Sequence, residues 1–102
     1  MSRSNLPSEL EFLTELETVI RSRLREIPEG SYTATLAAEG TPRVAQKVGE
    51  EAVELAIAAV AGDRDGLREE AADLLFHLLL LLAVEDSQLA DVVRILRERH
   101  AN

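Results

Sequence analysis

Two stretches of this sequence read as amphipathic helix and yet set carboxylates where a helix should carry hydrocarbon. They are Glu50-Glu51-x-x-Glu54 and, sixteen residues further on, Glu70-x-x-Asp73. A helix advances about 100° per residue, which puts Glu51 on the stripe of Val44, Val48 and Leu55. Glu54 lies one turn on and slightly to the side. Glu70 and Asp73 share a face that continues through His77 into Leu80, Leu81 and Val84. Buried carboxylates need a partner, because an unpaired charge in apolar surroundings is costly. A hard cation such as Mg2+ is one, since it takes oxygen ligands and neutralises charges that would otherwise repel. Without it, acids this close force some of their number to stay protonated.

The rest of the chain has to bury these stretches with aliphatic side chains. Hydrophobic residues make up 46% of 102 residues and aromatics only 3%, which suits helices packed through Leu, Ile, Val and Ala. This length is about one domain, and residues 1–102 are taken as a single unit with an ordered core over about residues 8–99. Cysteine is absent, which excludes disulfides and thiolate metal ligands and fits a reducing, cytoplasmic setting. The opening Met-Ser-Arg-Ser-Asn lacks the apolar core of a signal peptide. The leucine-rich run over 74–84 carries His77 and is too short to span a bilayer. With 19 acidic and 11 basic residues the formal charge is -8, so the fold as a whole repels polyanions. Neither a nucleic-acid nor a membrane partner is expected. A polyphosphate can still bind locally where cations bridge carboxylate and phosphate oxygens.

Helix signals recur along the chain. Ser8-Glu9-Leu10-Glu11 has the form of a capping box, followed by Leu13, Leu16, Ile20 and Leu24 at helical spacing up to Ile27-Pro28. Ser31 is placed to cap a short helix that Gly40 stops. Thr41-Pro42 has the pattern of an N-cap followed by proline in the first turn. That third helix runs to about Ala61, where Gly62-Asp63-Arg64-Asp65-Gly66 interrupts it; Asp63 or Asp65 then caps a fourth reaching about Val84. Asp86-Ser87 opens a last helix ending in Arg97-Glu98-Arg99-His100, whose cations suit the negative end of the helix dipole. The sum is an all-α bundle of four to five helices. Over residues 74–83 apolar side chains occupy almost every azimuth, the mark of a helix enclosed on all sides. Self-association is the simplest way for so short a chain to achieve that.

Other readings of the same residues compete. A Glu-rich helix face is most often simply solvated, but Glu51 sits on the apolar stripe, a second acid pair recurs on the next helix, and Asp73 precedes an apolar run. A di-iron carboxylate bundle needs two Glu-x-x-His units; His77 stands four residues after Asp73, and no second such histidine exists. His77 by itself reads more readily as a satisfied core histidine than as a ligand. Lys47, the only lysine, either pairs with Glu51 at i+4 or meets phosphate oxygens at the edge of a metal site. Gly49 inside a helix costs about 1 kcal/mol relative to alanine, which points to close approach of a neighbour or ligand. Ser31-Tyr32-Thr33 is either a cap with a packed tyrosine or a set of hydroxyls for a ligand.

Lys47-Val-Gly-Glu-Glu-Ala-Val-Glu54, then Glu70-Ala-Ala-Asp-Leu-Leu-Phe-His77 with its leucine run, resembles the phosphoribosyl-ATP pyrophosphohydrolases of histidine biosynthesis, all-α members of the MazG-like superfamily. Ser31-Tyr32-Thr33-Ala34, with Leu36 and Gly40, matches the segment that distinguishes this family, and the likeness runs from about Leu10 to Arg99. The resemblance implies Mg2+-dependent hydrolysis of 1-(5-phosphoribosyl)-ATP to 1-(5-phosphoribosyl)-AMP and pyrophosphate, by a dimer with interlocked helices. It implies metal ligation by Glu51, Glu54, Glu70 and Asp73, with Glu50 completing the site or orienting the attacking water, so that Glu50 and Glu51 are the candidate catalytic acids. Lys47, Ser31, Tyr32, Arg23 and Arg43 are the candidates for substrate contact. Phe76 departs from the tyrosine of many relatives, so no hydroxyl is required there. The cyclohydrolase fused to some relatives, with its cysteines and histidines, is not expected in this chain. The alternatives are a house-cleaning dNTP pyrophosphohydrolase and a non-catalytic helical dimerisation module.

Overall fold

The computed structural model describes residues 6–101, which form five helices: α1 (Leu6–Glu26), α2 (Tyr32–Ala38), α3 (Thr41–Ala61), α4 (Arg64–Val84) and α5 (Leu89–Arg99). No strand occurs among the described residues, so the chain is all-α. Most boundaries follow from local chemistry. Pro28 disfavours helix at Ile27, and α1 ends at Glu26. The Ser31 hydroxyl accepts from the Ala34 N–H at 3.1 Å and so caps α2. Gly62, left-handed at φ 73°, closes α3, and the Asp63 carboxylate accepts from the Gly66 N–H at 2.9 Å to start α4.

Three starts differ from the sequence expectation. The helix α1 already runs from Leu6, so Ser8 lies inside it; Pro7 brings no backbone N–H and therefore suits the first turn. Thr41 is the first residue of α3 instead of its cap. Gly40 precedes it at φ 93° and ψ 169°, a backbone open to glycine, and the Thr41 hydroxyl donates to Glu85 instead, tying the start of α3 to the end of α4. The helix α5 begins only at Leu89, after Asp86 and Ser87. There the Gln88 N–H donates to Asp91 at 2.9 Å in a reciprocal capping box, and that bond, with Arg94, holds the Asp91 carboxyl below its ordinary range.

The Asp63 cap yields a test. Asp63→Ala should cost about 0.5–2 kcal/mol, read as a lower urea midpoint at unchanged m-value. Gly66→Ala should destabilise as well, although alanine is the better helix former. A Cβ at Gly66 meets the capping carboxylate and must displace it.

Packing is dominated by α3 and α4, an antiparallel hairpin closed by Gly62 and Asp63, with α1 across α4 and α2 against α1, α3 and α4. Ile20, Leu36, Val44, Leu79 and Leu80 form the buried core, flanked by Leu16, Leu24, Phe76 and Leu81. The core thus gathers at the first turn of α3 and the C-terminal half of α4, leaving the acids to the middle of α3 and the N-terminal half of α4. The start of α5 is held by α1, where Glu17 accepts from the Leu89 N–H at 2.7 Å and Arg21 donates to the Ser87 carbonyl at 2.5 Å. Beyond that, α5 has no buried residue. Enclosure of α4 on all sides is not found in one chain: only His77, Leu79 and Leu80 are fully buried, and Leu75 is exposed. Among the described residues no helix is long and apolar enough to cross a membrane.

Candidate metal centre

The hairpin brings the two acid pairs face to face. Glu51 and Asp73 lie eleven residues either side of Gly62, and Glu54 and Glu70 eight either side. In an antiparallel pair turning at Gly62, residues equidistant from the turn come opposite each other. Glu51, Glu70 and Asp73 each offer a carboxylate oxygen, and these lie within 4.8 Å of one another. Glu51 is buried, Glu70 half-buried and Asp73 exposed. The Glu70 carboxyl is pushed above its ordinary range, first by burial and then by the charges of Glu54, Asp73, Glu51 and Glu69. Among the described residues no lysine or arginine forms an ion pair with these three acids. Three unneutralised oxygen donors at this separation suit a hard divalent cation.

Glu51 has one further partner. His77 places Nδ1 at 3.1 Å from Glu51 Oε1 and at 2.8 Å from the Asp73 carbonyl oxygen, while its Nε2 is 2.9 Å from the Tyr32 hydroxyl. His77 is therefore a satisfied core histidine, as its place on an apolar face implied: Nδ1 is bonded to the Asp73 backbone carbonyl and Nε2 to the Tyr32 hydroxyl, with Glu51 Oε1 in ion-pair range of Nδ1. The sequence does hold a signal for this: four residues separate His77 from Asp73, one helical turn along the same face.

The remaining candidates are distributed around this core. Glu54 is exposed and lies outside the three-acid group; with Glu70, Asp63 and Gly66 it lines a shallow hollow of about 300 Å3. Glu50 is exposed on the outer side, where it accepts from Gln46 at 3.0 Å and pairs with Lys47 at 3.7 Å. Lys47 thus pairs at i+3 with Glu50 and not at i+4 with Glu51, because Glu51 turns into the hairpin toward His77. A Cβ at Gly49 would meet nothing, so no neighbour among the described residues accounts for the glycine; it lines an open groove with Gln46, Glu50, Val53 and Glu54. Gly49→Ala should therefore raise single-chain stability by up to about 1 kcal/mol, measured by urea unfolding. Arg43 pairs with Glu39 at 3.3 Å, about 12 Å along α3 from Glu51. Arg23 lines a cavity of about 280 Å3 with Leu24, Ile27, Ala34 and Val84, toward the far end of α4. Neither arginine is brought to the acids. Ser31 spends its hydroxyl on the α2 cap, and Tyr32 reaches the centre only through His77.

Comparison with known proteins supplies an independent finding. Residues 13–100 match the family Phosphoribosyl-ATP pyrophosphohydrolase. Over 87 residues the chain is 52% identical to the Phosphoribosyl-ATP pyrophosphatase of Agrobacterium fabrum, covering 85% of this chain and 81% of that one. It is also 52% identical over 93 residues to the Histidine biosynthesis bifunctional protein HisIE of Yersinia pestis, covering 91% of this chain and 46% of that protein. The same-named protein of Photobacterium profundum is 52% identical over 91 residues, covering 89% and 44%. The chain spans about half the length of these bifunctional relatives.

Proposed function

Because this chain belongs to the phosphoribosyl-ATP pyrophosphohydrolase family, we propose that it is a Mg2+-dependent hydrolase of 1-(5-phosphoribosyl)-ATP. Its products are 1-(5-phosphoribosyl)-AMP and pyrophosphate, and the step is the second of histidine biosynthesis. The observation that carries this, beside the family match, is the convergence of Glu51, Glu70 and Asp73 within 4.8 Å on facing helices. These three residues, with Glu54 opposite Glu70, hold the cation. When bound, it offsets phosphate charge and acts as a Lewis acid toward phosphate oxygens.

Everything else required is positioning, because phosphoryl transfer asks for little covalent help from the protein. Glu50 and Glu54 share a wall of the groove beside Gly49, and Glu50 is assigned there to orient the water that cleaves the α–β anhydride. Lys47, half-buried and tethered to Glu50, is the first clamp for the leaving phosphates. Arg23 and Arg43 stand at the other end of the hairpin and are assigned to distal phosphate, while Ser31 and Tyr32 supply the adjoining wall.

The functional unit is a homodimer or a larger homo-oligomer. The Cα radius of gyration is 15.1 Å, against about 13 Å for a compact domain of this length. Val53, Ile57 and Val60 expose an apolar stripe on the outer face of α3, and Val93 and Leu96 another on α5. A second copy covers such surfaces at no cost in new sequence. The acidic balance disfavours a nucleic-acid partner, and the enzyme is placed in the cytoplasm.

The deciding experiment follows pyrophosphate release with Mg2+ and either phosphoribosyl-ATP or a panel of dNTPs. Turnover of phosphoribosyl-ATP alone is expected. Turnover of dNTPs alone would transfer the chain to the house-cleaning alternative, and no turnover of either would favour a dimerisation module.

A further inference from the structure

We propose that His77 is a positioning residue for Glu51, and that Tyr32 acts behind it to hold the imidazole in place. The proposal deepens the metal-centre assignment and rests on it: Glu51 has to be a cation ligand for its orientation to matter.

The geometry leaves the ring little freedom. A carbonyl oxygen only accepts, so the 2.8 Å contact between His77 Nδ1 and the Asp73 carbonyl requires a hydrogen on Nδ1. That same N–H faces Glu51 Oε1 at 3.1 Å. In the neutral ring Nε2 is then an acceptor, and the Tyr32 hydroxyl at 2.9 Å donates to it. The opposite neutral tautomer turns a lone pair toward both the carbonyl and the carboxylate, losing the bond to Asp73 and making the contact with Glu51 repulsive. The contacts come from three helices: α4 through its own Asp73, α3 through Glu51 and α2 through Tyr32. Packing completes the restraint. Phe76 meets the imidazole edge-on at 5.1 Å and 86°, and Tyr32 at 5.9 Å and 88°. Phe76 and Tyr32 are two of only three Phe, Tyr or Trp residues in the chain, and both are spent on this ring.

The consequence for the acid centre is specific. Glu51 is the buried member of the three acids, on the helix opposite the other two. One of its oxygens faces His77 Nδ1 at 3.1 Å, and the second remains available to a cation. A carboxylate with a fixed rotamer loses less freedom on ligation than one that must be ordered at that moment. Partners of this kind, one step removed from the metal, typically change affinity by 10- to 100-fold when lost. Tyr32, a candidate for substrate contact on its sequence motif, acquires a different part, since its hydroxyl is already engaged. Ser31 caps the helix that Tyr32 begins, so the Ser-Tyr pair links the start of α2 to the orientation of Glu51.

The test measures Mn2+ affinity without substrate, by calorimetry on wild type, His77→Leu, His77→Asn and Tyr32→Phe, with helicity checked by circular dichroism. The Asn amide nitrogen occupies nearly the place of Nδ1 and keeps the donor to Glu51, so His77→Asn should stay within about threefold of wild type while His77→Leu falls 10- to 100-fold. Tyr32→Phe should lie between them, and it carries the test if His77→Leu fails to fold, because residue Tyr32 is 54% exposed. Wild-type affinity in both His77→Leu and Tyr32→Phe would overturn the proposal. Imidazole 1H–15N spectra supply a readout independent of metal: hydrogen on Nδ1 is expected, and the neutral Nε2–H tautomer would overturn the proposal while leaving the cation site standing. Failure of wild type to bind Mn2+ at all would overturn the metal centre, and this proposal with it.

Discussion

Glu51→Gln is expected to lower Mg2+-dependent pyrophosphate release by at least about 100-fold while leaving the helical fold intact. Loss of a partner one step removed from a metal costs up to about 100-fold, so removal of a ligand charge should reach at least that level. The substitution isolates charge from shape. The glutamine carbonyl keeps an oxygen facing the His77 N–H, so the buried contact seen at 3.1 Å has a replacement. Repulsion falls at the same time: Glu51 is one of the charges that push the Glu70 carboxyl upward, after burial, Glu54 and Asp73. The cation-free variant should therefore melt no lower than wild type. Added Mg2+ should raise the melting temperature of wild type by mass action and leave that of Glu51→Gln nearly unchanged. A variant that retains both the Mg2+-induced shift and activity would remove Glu51 from the centre.

Leu80→Ala should cost about 2–5 kcal/mol, a large part of the 5–15 kcal/mol typical of a whole domain. Leu80 has no exposed surface and packs with Ile20, Leu36, Val44 and Leu79 where α1, α2, α3 and α4 meet. The cavity left behind has few ways to close, because each wall belongs to a different helix. Urea unfolding should show a lower midpoint with the same m-value. Val60→Ala serves as the contrast. Val60 is 90% exposed in the single chain, so a surface effect within about 0.5 kcal/mol is expected of a monomer. A larger loss that grows on dilution would place Val60 in the contact between copies.

Helix existence was legible from residue spacing because it depends on local chemistry. Ser31, Asp63 and Gly62 act where they stand, through bonds to backbone three or four residues away. Starts were less legible where a distant group intervenes: Thr41 gives its hydroxyl to Glu85, forty-four residues on, and Gly40 takes the cap position. The acid stripe was readable for the same reason as the helices, since azimuth and distance from Gly62 together set which acids face each other.

What the sequence by itself determined is therefore the all-α class, the hairpin, and the convergence of acids from its two arms, all consequences of helical periodicity and one short turn. What only the tertiary structure decided is which side chain serves which. Lys47 goes to Glu50 because Glu51 points inward; Glu54 stays outside the three-acid group although it lies opposite Glu70. His77 changes from a lone core histidine into the link between Tyr32 and Glu51. Azimuth is known to tens of degrees from sequence alone, whereas a hydrogen bond is made or lost within a fraction of an ångström. That resolution arises only when three helices are packed against one another.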